Sequence, residues 1–548
     1  MDRKIVMSAL LDQVQVGLAE DGRLVEYYLE HDAQERLVNN IYRGRVENIL
    51  PGMGAAFVDI GLGKNAFLYM ADLQNEPLER KLHIGDSVVV QVVKEAEGAK
   101  GPRVTTDITL PGRFLVLLPF QNTVGVSRQI SDEEERARLK ALAEEIRPRG
   151  IGLIVRTLAQ DAGEDELRED LEDLLLEWNR LQKKLRTKGV GPLLYQDHDL
   201  VYRILRDLYS PPTRIIVDTE TLQRRVISEL QELGLESSSV ELYQGKLGIF
   251  TYLGLDKDLE RARNPRVWLD CGGYLVINQT EALLTIDVNT GKYVGTTALK
   301  DTILRTNLEA AEEIARQLRL RNIGGIVIID FIHMPDEGDR EQVLARLADS
   351  LGADKTRTNL CGFTRLGLVE LTRKKARRPL AQILEVDCPH CRGTGRVDSD
   401  ETTAFRIAAS ITASAAEDGV EAVLVRCHPA VAAHLIGPGA KNLNLLEKQT
   451  GKAVFIRGDE GLPKREFELT CGDAAVLQEK ALPVAVGDRI TVEIVEPHAK
   501  NRGSGLARVA GYVIECLDCW SRVGQKVDVE VVEVYRTSAL ARLLENQN

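Results

Sequence analysis

The sequence predicts a multidomain α/β protein with a small β-barrel towards each end of the chain. Its 548 residues, 44% of them hydrophobic, are too many for one ordinary core and too apolar for a disordered chain. Short β-branched runs punctuated by glycine and proline recur in two stretches, which is typical of small barrels. Between them, apolar strands alternate with an amphipathic helix, an order that indicates a layered α/β core. We therefore expect roughly two to five packed domains.

The chain opens with a predicted β-hairpin. Up to about residue 37, the runs VQVGLAE and RLVEYYLE alternate polar and apolar residues around the turn Asp21-Gly22. The start of the sequence lacks the continuous apolar segment of a signal peptide, and no run of about 18 apolar residues occurs anywhere. We therefore expect a soluble, cytoplasmic protein with no membrane partner.

The first predicted barrel extends from NNIYRGRVENIL to GPRVTTDITL and carries two aromatic residues on neighbouring strands. Phe57 and Phe67 have the cations Lys64 and Lys100 nearby in sequence. On an exposed barrel face such residues suit single-stranded nucleic acid, because bases stack on the rings and phosphates follow the charge. The alternative is that both phenylalanines belong to the barrel core.

Net charge argues against a nucleic-acid partner until its distribution is considered. The 71 Lys and Arg residues against 83 Asp and Glu residues leave −12, whereas nucleic-acid binding requires cations that displace counterions. Residues 132–177 carry 15 acids and 7 bases, and the run EDELREDLEDLLLEW there predicts an amphipathic helix with an acidic face. By contrast, residues 354–378 carry 8 bases and 2 acids. This basic stretch could bind a polyanion, or it could be a solvated helix face.

Two carboxylates end apolar strands in the predicted α/β core. Asp287 follows the run LLTI and Asp330 follows IVII, with a helix predicted between them at about 299–321. A buried carboxylate must be paired, protonated or bound to a cation. Two of them on nearby strands could hold one Mg²⁺ through oxygen ligands, and Asn289 could orient a carboxylate or a water. The alternative is a pair of caps that are hydrogen-bonded to backbone amides.

The eight cysteines are too few for a disulfide scaffold, but four of them form two C-x-x-C pairs. Cys388 and Cys391 lie in the Gly-rich run CPHCRGTG. A closed structural zinc site needs four ligands, so a missing pair would come from a second copy of the chain or from Cys516 and Cys519. A redox role is less favoured, because the expected βαβ context is missing. For Cys516 and Cys519 we favour ordinary strand positions.

Two further modules follow residue 400. The run HLIGPGAKNLNLLEKQTGKAVFIRG predicts strand, Gly-rich turn, helix and strand, and resembles the KH signature with its G-x-x-G turn. The turn Gly437-Pro438-Gly439-Ala440 departs from that signature by its proline and its final alanine, which weakens the case for binding there. From about residue 483 onward, a second five-stranded barrel with a basic, Gly-rich segment is predicted.

Six runs match one family in the same order: NIYRGRV, AAFVDIG, GLIVRT, TEALLTIDVNTG, TNLEAAEEIARQLRLRNIGGIVIIDFI and CPHCRGTG. Over about residues 1–415, the chain resembles the ribonuclease E/G endoribonucleases. The resemblance implies a ribonuclease-H-like core with an inserted OB-fold barrel, a 5′-end sensor, a deoxyribonuclease-I-like catalytic subdomain and a zinc knuckle. A small α/β domain and a C-terminal β-barrel complete this multidomain α/β fold.

The expected domain boundaries follow from that order. The ribonuclease-H-like domain is predicted in two parts, 1–37 and 213–265, on either side of the OB fold at 38–108 and the 5′ sensor at 109–212. The catalytic domain is expected at 266–386 and the zinc link at 387–400. A KH-like domain at 401–480 and a TRAM-like RNA-binding barrel at 481–548 end the chain.

The resemblance implies a Mg²⁺-dependent endoribonuclease that cleaves single-stranded, A/U-rich RNA in rRNA and tRNA processing and mRNA decay. Asp287 and Asp330 would hold the ion, Asn289 would be the positioning amide, and the products would carry a 5′-phosphate and a 3′-hydroxyl. The residues expected to contact RNA are Phe57, Phe67, Lys100 and Arg373. Those expected at a 5′-monophosphate are Arg156, Thr157, Gly125 and Arg128, since the arginine fork matches phosphate oxygens.

Assembly and partners also follow from the resemblance. Cys388 and Cys391 would share one Zn²⁺ with the same pair of a second protomer, so a homodimer is the minimum assembly and a tetramer the larger alternative. Neither a membrane-targeting helix nor an Arg- and Pro-rich scaffold for partner enzymes is expected.

Two other functions compete with that of a nuclease. A non-catalytic RNA-binding assembly protein would keep the fold without cleaving RNA, but the intact Asp287, Asn289 and Asp330 favour catalysis. A methyltransferase is disfavoured, because no glycine-rich strand-to-helix turn suits a nucleoside cofactor.

Overall fold

A computed structural model describes residues 2–31, 36–75, 82–96, 100–187, 192–291, 299–375, 377–498, 501, 503–509 and 512–544. The chain divides into two units, Met1–Val386 and Asp387–Asn548. Within the described residues, no helix has the length and apolar character that a bilayer crossing needs.

The first three strands form an antiparallel meander in the order β1, β2, β3. They span Arg3–Leu10, Gln13–Glu20 and Arg23–His31. Asp21 and Gly22, with φ of 49° and 80°, connect β2 to β3 in the left-handed region that two-residue hairpin turns require. The predicted hairpin is therefore confirmed.

A small barrel follows the meander. Its strands β4 to β8 are Ile41–Leu50, Ala55–Asp59, Ala66–Tyr69, Ser87–Lys94 and Arg103–Thr105. They lie in the order β4-β5-β6-β8-β7, and β7 pairs back onto β4, which closes the ring. Apolar residues such as Val58, Leu68 and Val104 fill its interior. The first barrel that the sequence predicts is present.

A four-stranded sheet with two helices comes next. Its elements are β9 (Leu110–Pro111), β10 (Leu115–Leu118), β11 (Val124–Val126), α1 (Glu133–Ile146), β12 (Gly152–Val155) and α2 (Glu164–Arg186). The strands are ordered β11-β12-β10-β9. The predicted acidic helix is α2, and it buries one stripe: Leu167, Leu171, Leu174, Trp178 and Leu181. A short strand β13 (Leu193–Tyr195) then pairs with β4 of the barrel.

The chain returns to the first sheet after β13. The elements are α3 (Leu200–Leu208), β14 (Arg214–Val217), α4 (Glu220–Glu232), β15 (Val240–Leu242), α5 (Ile249–Tyr252) and α6 (Leu255–Arg263). β14 pairs in parallel with β1, and β15 with β14, which completes the order β15-β14-β1-β2-β3. The barrel and the four-stranded sheet are thus inserted between two halves of one sheet.

A six-stranded sheet ends the first unit. Its elements are β16 (Arg266–Trp268), β17 (Tyr274–Gln279), β18 (Leu283–Asn289), α7 (Leu299–Leu320), β19 (Gly325–Asp330), α8 (Glu337–Gly352), β20 (Thr358–Phe363), β21 (Val369–Arg373) and α9 (Leu380–Leu384). The strand order is β16-β17-β18-β19-β21-β20, and only β18 and β19 pair in parallel. α7 and α8 contribute to the core on one face of the sheet.

Helix α7 joins the six-stranded sheet to the first sheet. One side of it, with Ala311, Ala315 and Leu318, is buried in the core of the six-stranded sheet, as the sequence predicted. From its last turn, Arg319 donates hydrogen bonds to Glu20 at 3.0 Å and to Glu26 at 3.1 Å, on β2 and β3. All three side chains are largely buried, so each charge depends on its partner.

The second unit contains two modules after the CPHCRGTG segment. The first comprises α10 (Asp400–Ala415), β22 (Ala422–Cys427), α11 (Pro429–Ile436), α12 (Lys441–Thr450), β23 (Ala453–Gly458), β24 (Phe467–Gly472) and α13 (Ala474–Ala481). Its sheet has the order β23-β22-β24. The second is a closed barrel of five strands, β25 to β29: Arg489–Pro497, Gly505–Val509, Tyr512–Leu517, Lys526–Val534 and Ser538–Leu543.

We predict that Glu26→Gln destabilises the first unit by about 3 kcal/mol, because it removes one of the two carboxylates that neutralise the buried Arg319. Thermal or denaturant unfolding would measure this loss. The matched control is Glu312→Gln on the exposed side of α7, where Glu312 pairs with Arg346 and both side chains are about half exposed. Loss of such an exposed pair should cost at most about 1 kcal/mol.

The buried ion pairs of Glu26 also predict that the stability of the first unit depends on pH. Burial acts to raise the pKa of Glu26, but the charges of Arg377 and Arg319 outweigh it and hold that pKa below its ordinary 4.5. The stabilisation is therefore fully present above pH 4.5 and is lost as the pH falls from there through the lowered pKa. The Tm of the wild-type protein should fall more steeply in that window than the Tm of Glu26→Gln; equal slopes would contradict the assignment.

Candidate functional site

Asp287 and Asp330 lie side by side at the ends of two parallel strands. β18 and β19 pair in register, with Asp287 directly opposite Asp330. Residues opposite each other in a sheet point to the same face, and neighbouring strands lie roughly 4.8 Å apart. Their neighbours Ile286 and Ile329 point into the core, whereas both carboxylates are exposed. The fold therefore brings together two carboxylates that are 43 positions apart (330 − 287).

The surroundings of this pair argue against the alternative of structural caps. Nδ2 of Asn289 donates a hydrogen bond of 2.8 Å to Oδ2 of Asp287. Among the described residues, neither carboxylate accepts a hydrogen bond from a backbone amide or forms an ion pair. Two anions held close together without a counter-charge repel each other, and a cation between them removes that cost.

The donor set at this pair fits Mg²⁺. Carboxylate oxygens are the ligands that Mg²⁺ prefers, and it is commonly held by one or two of them while waters and substrate phosphates complete its coordination. In the described part of the chain, no cluster of three or more His, Cys, Asp or Glu side chains forms a complete site. Exposure of Asp287 and Asp330 leaves room for the remaining ligands to come from solvent and substrate.

A second candidate site lies at the end of β12, where Arg156 and Thr157 follow directly. β11 runs parallel to β12, with Gly125 opposite Ile154, so the segment after β11 reaches the same edge. There, Oγ of Ser127 lies 2.9 Å from Oγ1 of Thr157. Arg128 is exposed beside them. The predicted residues of the 5′-phosphate pocket thus occur at one edge of one sheet.

Further residues at this edge were not predicted from the sequence. Nη1 of Arg156 forms an ion pair of 2.9 Å with Asp207, and Nζ of Lys355 donates to the backbone carbonyl of Asp207 at 2.9 Å. Lys355 remains open to solvent, yet partial burial and the charges of Arg3 and Arg156 lower its pKa to about 8. A bound anion would relieve this crowding of positive charge. Neither Asp207 nor Lys355 is marked by a motif, since both are distant in sequence from Arg156.

Direct contacts link this edge to the six-stranded sheet. Oγ1 of Thr157 donates to Gln129 at 3.0 Å, and Nε2 of Gln129 donates to the carbonyls of Asp354 and Lys355 at 3.3 and 3.1 Å. The Asp354 carboxylate in turn accepts a 2.7 Å hydrogen bond from Nε of Arg373. A continuous series of contacts therefore connects the pocket to the last residue of β21 through Thr157, Gln129, Asp354 and Arg373.

Arg373 does not lie where the sequence led us to expect it. It is 4% exposed and opposite Gly325 at the start of β19, whereas Asp330 ends that strand five residues later, roughly 17 Å away. Its guanidinium donates to Asp354, Thr356, Asn322 and Ile323. The physical reason is the strand register, which carries LTRKKARR away from the carboxylate pair. In this geometry Arg373 stabilises the end of the strands through these hydrogen bonds and cannot clamp phosphate at that centre.

Other arginines of the basic stretch also form contacts within the first unit. Arg377 pairs with Glu26 at 3.3 Å and lies 3.7 Å over the ring of Tyr28, and Arg378 pairs with Glu95 at 2.8 Å. The stretch is therefore only partly available to a polyanion.

Phe57 and Phe67, the two aromatic residues predicted to contact RNA, lie on the outer surface of the first barrel. Phe57 is opposite Phe67, the two rings pack edge to face at 5.8 Å, and both are half-buried outside the apolar core of the barrel. The same surface continues through Tyr69, whose ring lies 4.7 Å from Phe67 and 4.6 Å from the guanidinium of Arg103. Lys100 is exposed. Because side chains alternate between the two faces of a strand, Tyr69 lies on the same face of β6 as Phe67. This alternation could have indicated Tyr69 as a surface aromatic residue from the sequence.

The CPHCRGTG segment forms a knuckle with two accessible thiols. Backbone N–H groups of Cys391 and His390 bond to the Cys388 sulfur and lower its pKa, which favours a thiolate. Arg392, Gly393 and Gly395 have φ of 51°, 83° and 68°, which allows the tight turn. These two cysteines could supply half of a tetrahedral zinc site.

Cys516 and Cys519 are placed differently. Both are fully buried in the core of the C-terminal barrel. Burial raises the pKa of Cys516 to about 12, so the thiolate that a metal requires is disfavoured. Their surroundings are those of apolar core residues.

Three family models match consecutive parts of the chain. They are described as "Ribonuclease E/G family" over residues 109–376, "RNase E/G, Thioredoxin-like domain" over 387–472 and "TRAM domain" over 483–544. The predicted TRAM module is confirmed. A thioredoxin-like description, however, covers the segment for which the sequence predicted a KH-like domain.

Curated relatives match most of the chain. It is 40% identical to Ribonuclease G of Haemophilus influenzae, over 85% of this chain and 99% of the relative. It is 38% identical to Ribonuclease G of Escherichia coli K12, over 86% of this chain and 99% of the relative. Ribonuclease E of Synechocystis is 41% identical, over 70% of this chain and 60% of the relative. A solved structure of a conserved Methanococcus maripaludis protein is 26% identical over 13% of this chain and 93% of that one. Its TM-score of 0.11 is too low to indicate a shared fold.

Proposed function

This chain belongs to the ribonuclease E/G family and is an endoribonuclease, and from that premise we propose that it is Mg²⁺-dependent and cleaves single-stranded, A/U-rich RNA. Cleavage leaves a 5′-phosphate and a 3′-hydroxyl, and it serves rRNA and tRNA processing and mRNA decay. The observation that carries the proposal is the exposed pair of Asp287 and Asp330 at the ends of adjacent parallel strands. The same proposal identifies the first sheet as ribonuclease-H-like, the first barrel as an OB fold and the six-stranded sheet as deoxyribonuclease-I-like.

The residues of the pair have separate roles. Asp287 and Asp330 would hold the divalent ion, and Asn289 holds Asp287 in position through its 2.8 Å hydrogen bond. When bound there, Mg²⁺ would supply Lewis-acid stabilisation of the charge on the scissile phosphate and would orient a water for attack. Without a cation, the two carboxylates repel an approaching phosphate. The exposed sheet face around them admits an extended strand of RNA.

We predict that the purified protein cleaves an A/U-rich oligonucleotide in the presence of Mg²⁺ and not in EDTA. Asp287→Asn and Asp330→Asn should each lower kcat/KM by at least about 100-fold, since each removes an anionic ligand. Asn289→Ala should raise the Mg²⁺ concentration that half-maximal cleavage requires by about tenfold, since the ligand loses its support.

The matched control is Asp349→Asn, which removes one carboxylate from the exposed surface of α8 in the same domain. Its kcat/KM should equal that of the wild-type protein. Undiminished cleavage by Asp287→Asn would overturn the assignment of the centre, and absence of cleavage by the wild-type protein would favour the RNA-binding alternative.

We propose a preference for 5′-monophosphorylated RNA at the pocket formed by Arg156, Thr157, Gly125 and Arg128. The planar fork of Arg156 matches phosphate oxygens, and Thr157 Oγ1 already lies in a network with Ser127 and Gln129. The contact of Gln129 with the backbone of Asp354 offers a physical connection from an occupied pocket to the six-stranded sheet.

We predict that Arg156→Gln abolishes discrimination between 5′-monophosphate and 5′-hydroxyl forms of one oligonucleotide. A charge-assisted hydrogen bond contributes about 1.5–3 kcal/mol, so kcat/KM for the phosphorylated form should fall by about 10- to 100-fold. The rate for the 5′-hydroxyl form should not change. Arg147→Gln, which removes a partly exposed arginine that pairs with Glu144 on α1, is the control. A discrimination ratio unchanged by Arg156→Gln would contradict the pocket.

The barrel surface is the third part of the proposed RNA path. Phe57, Phe67 and Lys100 would stack on bases and attract phosphates, and Tyr69 with Arg103 extends this surface. The half-buried position of the Phe57 and Phe67 rings outside the apolar core supports this role over a core role.

We propose a homodimer, with a tetramer as a larger form, in which Cys388 and Cys391 share one Zn²⁺ with the same pair of a second protomer. The support is the accessible knuckle, which holds two thiols where four ligands are needed, and the burial of Cys516 and Cys519 elsewhere.

We predict that Cys391→Ser is monomeric by light scattering and loses bound zinc, while its Mg²⁺-dependent cleavage of a short oligonucleotide is retained. Cys361→Ser, which replaces an exposed cysteine on β20, should leave assembly and zinc content unchanged. A Cys391→Ser protein that is still dimeric with full zinc would exclude the shared site.

A further inference from the structure

The six-stranded sheet has one covered and one open face, and the register shows which residues share the open one. Asp287 is opposite Val276, which is opposite Arg266 on the edge strand β16. In the neighbouring row, Asn289 is opposite Tyr274, which is opposite Trp268. Since residues opposite each other point to the same face, these two rows extend from the carboxylate pair to the sheet edge.

The outer end of these rows is aromatic and positively charged. Trp268 is 56% exposed, and its ring lies 5.2 Å from that of Tyr274. The guanidinium of Arg266 lies 4.6 Å over the Tyr274 ring. Within the described residues, Arg266 forms no ion pair, whereas most buried arginines of this unit are neutralised by carboxylates. An exposed indole beside an exposed guanidinium without a carboxylate partner offers one ligand a ring face for stacking and a positive charge for a phosphate.

A cleft adjoins this surface. It has a volume of about 580 Å³, within the range of small-ligand sites. Arg266, Trp268 and Val276 form its sheet side, and the C-terminal part of α6 with the segment after it forms the other side: Glu260, Arg261, Asn264 and Pro265. Aromatic rings, guanidinium groups, an amide and a carboxylate can together hold the flat face and the polar edge of a nucleobase.

We propose that Trp268, Tyr274 and Arg266, with this cleft, form a nucleobase subsite that binds one unpaired base of the RNA close to the scissile phosphate. The inference rests on the proposed function, because it takes RNA as the occupant of the carboxylate pair. Asn289 and Trp268 are two strands apart, roughly 10 Å, so an RNA strand lying across the pair passes over this surface. The base stacks on Trp268, and Arg266 neutralises an adjoining phosphate. The subsite thereby helps to select which phosphate lies at the carboxylates.

Intrinsic fluorescence tests the stacking without relying on cleavage. The chain has three tryptophans; Trp178 is 6% exposed and Trp520 lies in the second unit. In a Trp520→Phe background in EDTA, titration with an A/U-rich ten-nucleotide RNA should quench the exposed Trp268. The quenching should disappear in the double variant Trp268→Phe, Trp520→Phe. Binding of the RNA without any quenching would overturn the subsite.

Cleavage kinetics test the position of the base. Trp268→Ala should raise KM about tenfold with little change in kcat, since stacking on one ring contributes that order of affinity, and Trp268→Phe should restore most of the loss. In a set of substrates with single abasic positions, one position close to the scissile phosphate should raise KM for the wild-type protein about tenfold and leave KM for Trp268→Ala unchanged. Tyr252→Ala, which removes an aromatic ring that is 63% exposed at the end of α5 in the same unit, is the control for loss of an exposed aromatic side chain.

The outcomes separate the two proposals. If the wild-type protein does not cleave RNA, the proposed function fails, while quenching in EDTA still reports on the subsite. If cleavage proceeds with the same KM and the same abasic pattern in Trp268→Ala, the subsite is wrong and the proposed function stands. A change in oligomeric state of Trp268→Ala, without a change in KM, would show that this face binds a second copy of the chain and would overturn the subsite.

Discussion

The buried ion pairs of Arg319 with Glu20 and Glu26 are the constraint on which the first unit depends. They bind the C-terminal end of α7 to the first sheet, while Ala311 and Ala315 on the same helix pack in the core of the six-stranded sheet. A misplaced helix would leave a buried guanidinium uncompensated, which costs more than the loss of ordinary packing. The core that supports β18 and β19, and with them Asp287 and Asp330, therefore keeps one placement relative to the first sheet.

Ion pairing also explains how an acidic chain can present an RNA-binding surface. Many cations of the first unit are engaged with acids of the same unit, as Arg377 is with Glu26 and Arg378 is with Glu95. The acidic excess is concentrated around α2, whose apolar stripe is buried and whose charged side is solvated. Among the described residues, the proposed RNA path leaves open a small set of aromatic rings together with Arg103 and Arg266, which form no ion pair. A net charge of −12 thus governs solubility more than it governs recognition.

Local pattern predicted the elements of the site but not all of its members. The apolar runs before Asp287 and Asp330 indicated strands that end in carboxylates, and the structure places the two residues opposite each other. The same kind of reasoning failed for Arg373, because closeness in sequence to a basic run says nothing of strand register. Trp268 and Tyr274 were not predicted from the sequence for the same reason, because they lie beside Asn289 only through the pairing of neighbouring strands.

By itself, the sequence determined the kinds of elements and their order: the hairpin at Asp21-Gly22, two barrels, the amphipathic α7 and the knuckle at Cys388. These follow from periodicities of two and 3.6 residues and from glycine at turns, which are local properties of the chain. Tertiary structure alone decided which charges are neutralised and which side chains share a face. Pairing register and burial depend on contacts between residues far apart in sequence, and their energies are settled only when the whole core packs.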